Sequence, residues 1–155
     1  MKILIKNIHN RIETVSEYFS AFSEEELRQK AAPEKWSKKE ILGHLIDSAQ
    51  NNIRRFVIGQ YQHEAHIVYQ QNAWVKAADY QQYDSQDLLD FWILLNKHLC
   101  VILKNLPKEH YQVLTNWGGS IASAKIGEDL VPLEFVAHDY LRHLDHHLRQ
   151  MGMNL

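Results

Sequence analysis

His143 and His147 stand four residues apart near the C-terminus, a spacing that on an α-helix stacks two imidazoles on one face. Rings placed this way can close on one Zn²⁺-type ion at metal–nitrogen distances of about 2.0–2.1 Å, with further ligands drawn from elsewhere. The same stretch carries His138 and His146, and the chain holds ten histidines in all, a clustering that points to metal binding or a pH response. At about 100° per residue, Leu133, Val136, Tyr140, Leu144, Leu148 and Met151 trace a continuous apolar arc. His147 falls inside that arc and His143 at its edge, His146 and Asp139 lie further toward solvent, and His138 points nearly opposite. Spacing therefore selects His143 and His147. The plainer alternative is a pair of core-edge histidines held by ordinary hydrogen bonds, although two neighbouring buried imidazoles are costly unless something satisfies them.

The third ligand does not follow from spacing. His44 lies on the flank of an apolar helical arc beside Ser48 and Asn51, His9 sits early in the chain, His98 lies near an apolar face, and His63 and His66 fall in a long connection. A zincin helix is excluded, because His-Glu-x-x-His needs a Glu beside the first histidine as general base and Leu144 occupies that place. Without a built-in carboxylate base, the natural chemistry is direct activation of a water or a thiol by the metal. Arg54 and Arg55 could hold a carboxylate of a substrate or thiol cofactor, or stand as ordinary helix arginines. Cys100, between Leu99 and Val101, reads as a buried helix position rather than an activated thiolate.

These residues need elements to position them, and the periodicity is helical throughout. A first helix is expected from about Ile3 to Phe22, with Ile5, Ile8, Ile12, Val15 and Phe19 on one stripe, followed by a short helix at Glu24 to Gln29 capped by Ser23. The second long helix opens at the capping box formed by Ser37 and Glu40 and runs to about Gln60. Between Tyr61 and Tyr83 the chain is rich in Gln, His, Asn and aromatics, with a short helix expected over Asn72 to Asp79 as a lid. Ser85 is expected to cap a third helix lined by Leu88, Trp92, Leu95, Leu99, Ile102 and Leu103 and stopped by Pro107. Glu109 to Leu130 reads as irregular, with turns at Gly118, Gly119 and Gly127, and Pro132 as the first residue of a fourth helix ending by Gly152. The expected fold is all-α, an irregular four-helix bundle in a single domain spanning residues 1–155, with long connections after the second and third helices and its site built inside from facing helices.

A net charge of −2 gives no broad basic field, so nucleic acid is not an implied partner. The opening Met1 to Lys6 is too short for a signal-peptide core, and no run of about 18 apolar residues could span a membrane. A cytoplasmic protein acting on a small molecule is the expectation.

Lys35-Trp36-Ser37, Gly43-His44-Leu45-Ile46-Asp47-Ser48, Gln71-Asn72-Ala73-Trp74-Val75, Leu95-Asn96 and the closing run from Asp139 to Gln150 resemble the DinB-like superfamily over nearly the whole chain. The resemblance implies a four-helix bundle with a three-histidine metal site, one ligand from the second long helix and two from the last, which map to His44, His143 and His147. Three imidazoles with an open position are the pattern of a catalytic rather than a structural metal. Zn or Ni fits such ligands, as do Cu and Fe. Asp47 and Asp139 are candidates for orienting the rings through their free N–H groups, and His146 is offset about 60° from His143 around the helix, away from the ligand face. Trp36 reads as a bundle wedge or staple rather than a substrate contact, and Trp74 and Trp92 as core. Relatives of this kind include S-transferases that use a low-molecular-weight thiol, thiol-dependent isomerases and metal-dependent hydrolases, and they form dimers through helix faces. The expected functions are, first, thiol transfer to an electrophile; second, hydrolysis by metal-bound hydroxide; third, non-enzymatic metal or ligand binding in a stress protein. A homodimer is the expected assembly.

Overall fold

A computed structural model describes residues 1–62, 64–117 and 130–155; His63 and the turn glycines Gly118, Gly119 and Gly127 lie outside them. The described residues form six α-helices: α1 (Lys2–Ser20), α2 (Glu24–Arg28), α3 (Lys38–Ile58), α4 (Gln71–Ala78), α5 (Ser85–Asn105) and α6 (Leu133–Gln150). The four long ones make the expected bundle. Side-chain caps satisfy orphan backbone N–H groups at α2, α3 and α5, and at α6 the Leu133 and Glu134 N–H groups donate to the carbonyls of Val113 and Tyr111. Ser23 with Glu26 and Ser37 with Glu40 form complete capping boxes at α2 and α3, each cap contributing about 1 kcal/mol. At α5 the cap is Asp84, whose carboxylate accepts from the N–H groups of Gln86 and Asp87. Ser85 is instead the first helical residue. Pro132, expected inside the fourth helix, is the residue before it, closing a strand.

Apolar stripes bring the helices together. Leu4, Ile8, Ile12, Val15 and Phe19 of α1 are buried, with Leu4 taking the place expected for Ile5. α1 packs against α5 and α6, and α3 packs against the same two, so the order around the bundle is α1, α5, α3, α6. Helices that follow one another along the chain, α1 and α3, therefore sit on a diagonal. This crossing makes α3 and α6 neighbours and brings the middle of the chain to its end. Trp92, Leu88, Leu99 and Leu103 of α5 meet Leu42, Leu45, Ile46 and Phe56 of α3 in the interior, each fully buried side chain contributing about 1.5–3 kcal/mol. Asn96 is polar and fully buried; it accepts from the Tyr140 hydroxyl at 2.5 Å and donates to the Trp92 carbonyl.

The segment expected to be irregular contains a two-stranded antiparallel sheet, β1 (Leu114–Asn116) with β2 (Leu130–Pro132), pairing Thr115 with Val131. Three-residue strands give periodicity too little length to register. The edge of β1 receives the α3–α4 connection: Asn116 donates to the Ala65 carbonyl and accepts from Ile67 N–H. Arg55 locks this junction. Its buried guanidinium donates to the carbonyls of Ile67 and Trp117 and to Asn52 Oδ1. Lys39, also fully buried, fastens the opposite end of α3 through Glu24 and the carbonyls of Gln81 and Tyr83. Gly43 supplies a different need. The Tyr80 ring lies so close to the α3 backbone that a Cβ at Gly43 would fall 2.0 Å from Tyr80 Cδ2, and from there the Tyr80 hydroxyl donates to Asp47 Oδ1 at 2.6 Å. Among the described residues no helix is long and apolar enough to cross a membrane.

Candidate metal centre

The diagonal crossing sets the first two turns of α3 beside the last two turns of α6. His44 leaves α3 at 0% exposure and His147 leaves α6 at 8%, with His143 one turn earlier on the same face of α6. Their Nε2 atoms converge: His44 to His143 is 3.2 Å and His147 to His143 is 3.1 Å. The three rings stand edge to face, at interplanar angles of 68°, 70° and 72°. Donor atoms on a tetrahedral zinc-type cation lie about 3.3 Å apart, given metal–nitrogen lengths of about 2.0–2.1 Å, so the spacing of the imidazoles suits such an ion. One ligating atom from each of the three lies within 4.8 Å of the others, and among the described residues no carboxylate or cysteine joins the group.

Burial determines the charge of these rings. It pushes His44 down to about 2 and His143 down to about 3, with the neighbouring imidazoles adding to the effect, and it lowers His147 as well. All three are neutral at physiological pH, the form in which imidazole donates to a metal. The ring nitrogens facing away from the centre have unequal partners. His147 Nδ1 lies 2.8 Å from Gln150 Oε1, His143 Nδ1 lies 3.4 Å from Ser48 Oγ, and His44 Nδ1 is buried with no hydrogen-bond partner among the described residues.

The carboxylates expected to orient the rings are engaged elsewhere. Asp47 accepts from Tyr80, and burial raises it to about 6; Asp139 pairs with Arg142 on its own helix. Ser48 and Gln150 stand in their place, and the one sequence signal for Gln150 is its i+3 position from His147. His146 is exposed and contacts the Gln150 amide. His9, His66, His98 and His138 are exposed and outside the cluster.

Aromatic rings wall the centre. Trp36, expected as a bundle wedge or staple, is half-buried and packed against the core, with its ring centroid 4.9 Å from that of His44 and 6.3 Å from that of His147. Tyr69 lies over His44 at 6.3 Å, and Trp74 of α4 meets Tyr69 edge-on at 5.5 Å. Trp92 is core, as is Cys100, whose thiol burial pushes up to about 11. Arg54 is exposed beside Asn51, and Arg55 is committed to main-chain carbonyls.

The solved structure of YfiT from Bacillus subtilis, described as a probable metal-dependent hydrolase with an unusual four-helix bundle topology, superposes with a TM-score of 0.73 over 99% of this chain and 88% of that one, at 17% sequence identity. That likeness concerns the fold. No curated protein matches the chain. The family model of the DinB superfamily matches residues 8–151, which include both helices that carry the imidazole cluster, and the chain belongs to that superfamily.

Proposed function

We propose that this chain is a metal-dependent enzyme in which His44, His143 and His147 hold a divalent cation, Zn or Ni in first place, and a low-molecular-weight thiol is transferred to an electrophilic carbon. The observation that carries this reading is the convergence of three neutral imidazoles, two buried and one half-buried, with the Nε2 atoms of His44 and His147 at 3.2 and 3.1 Å from that of His143. A bound cation supplies Lewis acidity, which lowers the pKa of a thiol or water placed beside it. The protein's own groups do the rest. Gln150 Oε1 and Ser48 Oγ stand at the outward ring nitrogens of His147 and His143. Trp36 and Tyr69 pack against His44 and limit the access of bulk water. No carboxylate joins the cluster among the described residues, so a nucleophile needing a separate general base is poorly served, and a thiol, already near ionisation at a pKa of about 8.5, is well served. In the overall reaction the S–H proton passes to solvent, a C–S bond forms, and the leaving group departs with its bonding pair.

A second reading, hydrolysis by activated water, draws its support from the printed description of YfiT. The two separate in one experiment. Protein loaded with Zn²⁺ or Ni²⁺ is expected to consume monochlorobimane in the presence of glutathione, bacillithiol or coenzyme A, and His143→Ala is expected to abolish this. Turnover of an ester and amide panel without any thiol would favour hydrolysis. Inactivity in both arms would overturn the enzymatic reading.

A further inference from the structure

The strongest polar contact to any of the three imidazoles comes from a residue outside the cluster. Gln150, the last residue of α6, lies one turn beyond both His146 and His147. Its Oε1 is 2.8 Å from His147 Nδ1, and its Nε2 is 2.9 Å from His146 Nε2. With the amide oxygen turned toward the ring it can only accept, which favours the His147 tautomer that carries its proton on Nδ1 and leaves the Nε2 lone pair toward the centre. The amide nitrogen at the other end reaches His146 on the exposed side of the helix. The helix end that carries this arrangement is itself tied down, because the Tyr18 hydroxyl of α1 donates to the Met151 carbonyl.

We propose that Gln150 is a positioning residue of the metal centre: it holds His147 as the Nδ1–H tautomer with Nε2 aimed inward. This rests on the reading of the cluster as a metal site, but it adds a residue that touches neither metal nor substrate. An acceptor on the distal ring nitrogen fixes tautomer and orientation, and its loss typically lowers metal affinity about 10- to 100-fold.

Two readouts on the same variants test it. In metal-free protein, long-range ¹H–¹⁵N spectra of the imidazoles report the tautomer directly, and wild type is expected to show His147 protonated on Nδ1. Gln150→Leu is expected to shift His147 toward the Nε2–H form and to weaken Zn²⁺ binding about 10- to 100-fold in competition with a chromophoric chelator. Gln150→Glu, which keeps an acceptor at the same reach, is expected to retain the wild-type tautomer and affinity. A Gln150→Leu protein that keeps the Nδ1–H tautomer, or binds Zn²⁺ as tightly as wild type, overturns the proposal. Failure of the enzymatic reading looks different: wild type then lacks activity in both substrate arms, while the tautomer pattern and its dependence on Gln150 stand.

Discussion

Acidifying the metal-free protein from pH 7.5 to 5.5 is expected to lower its stability, by an amount that follows from the buried imidazoles. In the unfolded chain each histidine has a pKa of about 6.5; in the fold, burial holds His44 at about 2 and His143 at about 3. Because these folded values are depressed, the unfolded state binds more protons below pH 6.5, and stability falls as pH falls. At pH 5.5 each group contributes a loss of about 1.4 kcal/mol by linkage, close to 3 kcal/mol for the two. That figure does not depend on the depth of the depression, since both folded values lie well below the window. Asp47 works in the opposite sense: raised to about 6, it takes up a proton in the folded state first and returns about 0.8 kcal/mol by pH 5.5. The net loss is about 2 kcal/mol, with His147 adding to it. Urea unfolding of chelator-treated protein, followed by tryptophan fluorescence, would show this as a midpoint lower by roughly 1 M, given a slope of about 2 kcal/mol per molar. His143→Gln should remove about half of the histidine share. A midpoint that stays level across this range would mean that the imidazoles protonate freely within the fold, and the buried, neutral donor set argued above would be wrong.

Gly43→Ala places a methyl 2.0 Å from the Tyr80 ring and is expected to destabilise by about 2–4 kcal/mol through overpacking and loss of the Tyr80–Asp47 hydrogen bond; a denaturation midpoint at the wild-type value would show that Tyr80 is not seated against α3. Arg55→Leu should cost roughly 3 kcal/mol by freeing the Ile67 and Trp117 carbonyls, whereas Arg54→Ala at its exposed position should stay within about 0.5 kcal/mol. A rise in KM for the thiol with unchanged stability in Arg55→Leu would instead assign Arg55 to substrate.

Much of this molecule was legible before folding because local chemistry and periodicity act over short stretches. The capping boxes at Ser23 and Ser37, the apolar stripes of the four long helices and the shared face of His143 and His147 all depend on residues within a few positions of one another. The resemblance contributed His44, which spacing alone left open among five histidines. Tertiary structure decided the rest. The order α1, α5, α3, α6 around the bundle put α3 against α6, and only that adjacency brings His44 Nε2 to within 3.2 Å of His143 Nε2 across ninety-nine positions of chain. Trp36 likewise came to wall the centre while packing against the core, and the contacts to the outward ring nitrogens fell to Ser48 and Gln150 instead of Asp47 and Asp139. A carboxylate's place in sequence does not say which partner reaches it first, and here Tyr80, admitted by the missing side chain at Gly43, reached Asp47. Helix faces are local properties of a sequence; which faces meet is decided by the packing of the whole core.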